Sequence, residues 1–183
     1  QLCQGETLGI VGESGCGKST IGNLIIRLLK ETGGRIVFDG HDITAMSARE
    51  FKPLRREMQM VFQDPFSSLN PARKIGWILE EPLRLRGITD RDKRRQMVAD
   101  MLVDVGLDPS FADRRPRELS GGQRQRISIG TALLMDSRLI IADEPVSALD
   151  VSIQAQILNL MKQLQNKMGL TYMFICLLYT SPS

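Results

Sequence analysis

Residues 12–19 read Gly-Glu-Ser-Gly-Cys-Gly-Lys-Ser, and no other stretch of the sequence restricts the fold as strongly. Thr7 to Val11 before it is a short, mostly apolar run of strand length, which the glycines cannot continue. From Lys18 the period changes. Ile21, Leu24, Ile25 and Leu28 recur at i, i+3, i+4 and i+7, which predicts a helix with those four on its inward face. A strand, a glycine loop and a helix therefore follow one another. Two glycines flanking four residues, then Lys and Ser, fit a phosphate loop. The pattern has a physical reason. Gly12, Gly15 and Gly17, with Ser14 and Cys16 between them, let backbone N–H groups converge on phosphate oxygens. The helix start adds partial positive charge, Lys18 neutralises β and γ charge, and Ser19 offers Mg²⁺ a hydroxyl. The plain alternative is a glycine turn that only connects two elements.

Arg35–Phe38 and Met58–Phe62 read as further strands, the first ending in the turn-forming Asp39 and Gly40. Between Asp64 and about Ser137 the composition shifts towards helix formers and charge. Thr89 is expected to cap a helix in which Val98, Met101, Leu102 and Val105 share a face and Gly106 ends it. Leu139–Ala142 is a continuous apolar run ending at Asp143, as in a strand buried on both sides. Asp150 or Ser152 can cap a last helix with Ile153, Ile157, Leu160, Met161 and Leu164 inward, stopped near Gly169, before a strand at Thr171–Ile175. This order fits an α/β fold, a mostly parallel sheet with a helical subdomain inserted at about 66–137. The 183 residues suit one domain, and no apolar run is long enough to span a bilayer. A net charge of +3 gives no basic footprint for nucleic acid. Cys3, Cys16 and Cys176 lack metal-ligand spacing and favour a reducing compartment, the cytosol.

Two further places carry chemistry. Asp143 and Glu144 follow the buried strand at the carboxyl end, where open α/β sheets place their ligands: one carboxylate can hold Mg²⁺ and the next polarise water. Alone, such a pair also serves as a helix cap or a solvated turn. Leu119-Ser120-Gly121-Gly122-Gln123 precedes a helical stretch, and a serine with paired glycines at a helix start forms a second anion site or an ordinary N-cap. Two phosphate-binding helix starts in one short domain need an explanation.

The explanation comes from a resemblance. The phosphate loop, Gln63, Leu119–Gln123, Leu139–Glu144 and Ser147-Ala148-Leu149-Asp150 stand in the order of the ATP-binding subunits of ABC transporters, which this chain resembles from Gln1 to about Ile175. Val61–Pro65 with Ser68–Pro71, Glu81-Pro82-Leu83, and Glu144–Ser152 with Gln154–Gln156 resemble the oligopeptide and dipeptide importer branch. The resemblance implies a RecA-like P-loop NTPase fold and head-to-tail closure of two such domains, each ATP lying between one phosphate loop and the partner's signature. It implies that Lys18, Ser19, Thr20, Asp143 and Gln63 serve ATP and Mg²⁺ in cis. Ser120, Gly121, Gly122 and Gln123, the signature, would grip the γ-phosphate in trans, and Glu144 would be the general base. The implied partners are a second ATPase subunit, identical or homologous, and transmembrane permeases, with a substrate-binding protein acting indirectly. The implied place is the cytoplasmic face of the cell membrane, as a peripheral subunit.

Departures from the family pattern bear on activity. The aromatic that stacks on adenine precedes Gln1, so the chain is expected to be incomplete at that end, and Cys176-Leu177-Leu178 stands where a switch histidine is expected. His41 is read as a surface residue, and Gly130 and Thr131 replace the usual Ala and Arg. Cys176–Ser183 resembles translated adapter DNA and is expected not to be native. The competing functions are a nucleic-acid- or ribosome-associated ABC ATPase and a nucleotide-binding subunit that no longer hydrolyses. Gln63 and Leu119 are 56 positions apart with no heptad run, which leaves no room for the long coiled coils of repair enzymes.

Overall fold

The structure, a computed structural model, describes residues 1–64 and 69–177. Pro65 and Ser68 of the branch motifs, and residues 178–183 of the expected adapter tail, lie outside the described residues. Four parallel strands form the main sheet in the order β1 (Thr7–Gly12), β6 (Thr171–Leu177), β5 (Leu139–Asp143), β4 (Met58–Val61). Because all four run the same way, the loops that follow them emerge along one edge, which is where an open α/β sheet holds ligand. A hairpin of β2 (Val37–Phe38) and β3 (His41–Asp42) turns at Asp39 and Gly40, both at positive φ. His41 is exposed, as expected.

The core divides by strand alternation. Leu139 and Ile141 of β5, Met173 and Ile175 of β6 and Met58 of β4 face one layer, with Ile26, Ile43 and Phe51. Ile140, Ala142, Tyr172 and Val61 face the other, which holds α6 (Val151–Met168) through Ile157, Leu160, Met161 and Leu164. Of the expected α6 face only Ile153 is not fully buried. The same apolar cluster continues into helices α3 (Ile75–Leu85), α4 (Arg91–Asp104) and α5 (Gly121–Leu134), so the helical insertion shares its core with the sheet.

Four local expectations change. Helix α1 (Lys18–Ile25) buries Lys18 and Gly22, with Ile26 following, while Ile21 and Leu28 are exposed. The reason is close approach: a Cβ on Gly22 would lie 3.2 Å from Ile141 and 3.3 Å from Ile175. Helix α4 is capped by Asp90, whose carboxylate accepts from the Asp92 and Lys93 amides, and the Thr89 carbonyl instead accepts from Arg94. Helix α2 (Ala48–Glu57) was not foreseen, although Ser47 and Glu50 form a reciprocal capping box at its start; Pro53 inside it disguises the pattern. Strand β6 runs through Cys176 to Leu177, two residues past the expected end at Ile175.

Replacing Gly22 with Val should overpack this contact and lower the unfolding free energy by about 1–3 kcal/mol. A urea midpoint unchanged from the parent would show that α1 does not rest on the sheet at Gly22.

Candidate functional site

The glycine loop leaves β1 at Gly12 and enters α1 at Gly17, with Gly15 at φ 81° and Gly17 at φ 94°. Such values suit glycine alone without strain. Gly17 is the N-cap and supplies no side chain, so no cap occupies the first amides of α1. The Lys18 side chain folds back over the loop: Nζ donates to the carbonyls of Gly12 at 2.8 Å and Glu13 at 2.5 Å and lies 3.7 Å from Cys16 Sγ. It is only 6% exposed. Gly12 must be glycine for this packing, since a Cβ there would meet Cys16 Sγ at 2.9 Å. Ser14 and Thr20 are exposed.

Ser19 Oγ donates to Asp143 Oδ1 at 2.9 Å, tying the helix after β1 to the end of β5. Asp143 is buried, so its charge requires such a partner. A hydroxyl and a carboxylate together are hard oxygen donors, and Mg²⁺ typically takes one or two protein oxygens and completes its shell with phosphate and water. The pair fits that ion.

Glu144 has φ 46°, a left-handed backbone that costs a non-glycine residue about 1–2 kcal/mol. It is over-determined there. Its amide donates to the Ile175 carbonyl at 2.9 Å, and its carbonyl accepts from Ser147 Oγ at 3.1 Å. Gln63 Nε2 donates to Glu144 Oε2 at 2.9 Å and to Ser147 Oγ at 3.2 Å. The structure thus joins Gln63 to Glu144 and not to Ser19 and Asp143, with which a metal role had grouped it. Ser147 is the residue whose part the sequence did not disclose: it was visible only as a motif position, a hydroxyl three residues after Glu144. The pairing of Gly12 with Leu177 and of Asp143 with Ile175 places the end of β6 between the phosphate loop and Glu144. Burial, and then the nearby Glu144 charge, push the Cys176 thiol above its ordinary pKa.

The second candidate anion site forms a separate set of bonds. Ser120 caps α5, its Oγ accepting from the Gln123 amide at 3.3 Å while Gln123 Oε1 accepts from the Ser120 amide at 3.0 Å. Behind it, a Cβ on Gly121 would lie 3.2 Å from Leu149 Cδ2, and one on Gly122 only 2.6 Å from Ile153 Cγ2. No described hydrogen bond of Ser120 or Gln123 reaches residues 12–20. Elsewhere, Pro82 and Leu83 are core residues, while Trp77 lies outside between the guanidinium groups of Arg73 and Arg84.

The ABC transporter profile matches residues 1–147. The chain belongs to the ABC transporter family. It is 57% identical over 175 residues to the oligopeptide transport ATP-binding protein AppF of Bacillus subtilis, an alignment covering 95% of this chain and 53% of that protein. It is 53% identical over 176 residues to the oligopeptide transport ATP-binding protein OppF of Salmonella typhimurium, covering 96% and 53%. The chain spans about half the length of these curated relatives. Among solved structures, the ATP-binding cassette MJ0796, a dimer in a post-hydrolysis state bound to ADP and Pi, matches with TM-score 0.83 and 34% identity, over 96% of this chain and 76% of that one. CbiO1 of Clostridium perfringens, part of the ABC transporter complex CbiONQ, matches with TM-score 0.85 and 30% identity, over 96% and 68%. The RecA-like P-loop fold expected from sequence is the fold found.

Replacing Gly17 with Ala forces a side chain into the left-handed region and should weaken nucleotide binding about ten-fold, the equivalent of about 1.4 kcal/mol. Titration with a fluorescent ATP analogue measures it, with circular dichroism checking that the fold is kept; unchanged affinity would remove the loop geometry from the binding account.

Proposed function

We propose that this chain is the nucleotide-binding core of the subunit that powers an ABC importer, with peptides as its cargo, by binding and hydrolysing ATP as two subunits close head to tail. The single observation that carries this reading is the pair of bonds Ser19–Asp143 and Gln63–Glu144 along one sheet edge beside the phosphate loop, while the second anion site on α5 forms no bond to that loop. A site split in this way suits closure by a second copy or a homologous subunit. The likeness to a dimeric cassette bound to ADP and Pi supports closure, and the oligopeptide transport names of AppF and OppF support the cargo.

In this reading Lys18 leaves its loop carbonyls for the β- and γ-phosphates, and the amides of residues 14–20 hold the phosphate chain. Ser19 and Asp143 would hold Mg²⁺, which draws charge off the phosphates when bound. Glu144 accepts a proton from the attacking water, with Gln63 holding its carboxylate and Ser147 holding its carbonyl before the partner arrives. Ser120, Gly121, Gly122 and Gln123 of one subunit face the γ-phosphate held by the other. Phosphoryl transfer of this kind depends mainly on positioning and charge, so a site completed only by closure couples ATP to movement.

No helix among the described residues is long and apolar enough to cross a membrane. In this reading, attachment to the cytoplasmic face of the membrane runs through permeases. Their docking place is the cleft of about 220 Å³ beside the exit of β4, lined by Phe62, Leu69, Asn70, Ile78, Glu81 and Thr131. Thr131, whose hydroxyl donates to the Ile127 carbonyl of its own helix, lines this cleft.

In the full-length protein, Glu144→Gln should keep ATP binding and lower steady-state turnover by about 10²- to 10⁴-fold, the usual worth of a general base. Lys18→Ala should instead weaken binding itself. Near-normal turnover by the Glu144 variant would take that residue out of the base role.

A further inference from the structure

The turn that carries Glu144 also carries the residues that seat the signature glycines. From Glu144 the chain turns through Ser147, which bonds Gln63, and the Leu149 amide donates to the Val146 carbonyl at 3.0 Å. Gln154 Nε2 then holds the Leu149 carbonyl at 2.9 Å, fixing the turn against the first residues of α6. Leu149 and Ile153 of this segment are half-buried and pack against the main core cluster. They are the atoms that Gly121 and Gly122 rest on. The fit at Gly122 leaves no room for a methyl group, and the fit at Gly121 leaves little.

We propose that Leu149 and Ile153 are positioning residues for the signature: they set the height of the Gly121 and Gly122 amides from behind. The turn beside one nucleotide and the amides that grip the other then move as one body. One consequence follows from packing alone: the glycines are needed for contact with their own subunit as well as for approach to phosphate. This inference rests on the split-site reading given above.

The test uses full-length subunits in an assembled pair, one carrying Leu149→Ala and the other unsubstituted and tagged, with photoreactive ATP trapped in the closed state. Because the signature acts on the partner's nucleotide, labelling should fall about five-fold or more on the unsubstituted subunit and persist on the substituted one. Ile153→Ala should give the same asymmetry. Leu149→Met, which refills the space, should restore symmetric labelling. Loss on the substituted subunit itself, equal loss on both, or no loss would overturn the proposal, and thermal melting of each variant separates these from unfolding. If unsubstituted subunits trap no nucleotide in a closed pair, the split-site reading itself fails, which is a different result.

Discussion

The link between the phosphate loop and the carboxylates of the candidate site depends on β5 being buried from end to end. Its five residues, Leu139–Asp143, are all buried, so the strand delivers a carboxylate into low-dielectric surroundings at the very edge of the sheet. A charge there must be met by a partner, and the partner within reach is Ser19 of the phosphate loop. That bond fixes the first turn of α1 relative to β5, and Gly22 lets the helix lie close enough to the sheet for the bond to form. Glycine at position 22 is therefore part of the site's geometry although it never meets a ligand.

One residue beyond the buried strand, the backbone takes up strain. Glu144 is held at positive φ by bonds from both of its backbone groups and by Gln63 on its carboxylate. Strain retained under so many restraints is characteristic of functional positions. Here it turns the carboxylate towards Gln63 and away from the sheet core. The sharp reversal also starts the turn that reaches Leu149 and, through it, the glycines of α5. The candidate site and the glycines of α5 are thus linked in space by one short turn of the chain.

Much of this was legible in the sequence, and the reasons differ by residue. The loop at 12–19, the buried run at 139–142 and the Ser120 cap are local patterns whose chemistry is set by neighbours in sequence. The α1 face was misread because the hydrophobic period points to Ile21 and Leu28, whereas the helix presents the residues that permit closest approach, Lys18, Gly22 and Ile26. Helix α2 was hidden by Pro53 despite its capping box. Ser147 and Leu149 were visible only as motif positions and Ile153 only as an inward helix residue, since their partners, Gln63 and α5, lie far away along the chain.

The central claim is that the phosphate loop of one subunit and the signature of the other enclose the same nucleotide. Cys16 is exposed in the loop and offers a native probe. With every cysteine other than Cys16 replaced by Ser in the full-length protein, a short thiol crosslinker should join Cys16 of one subunit to a cysteine placed at the signature serine, Ser120→Cys, of the other. The yield should rise sharply with Mg²⁺ and ATP. Equal yield with and without nucleotide, or crosslinks formed only within one subunit, would contradict the account.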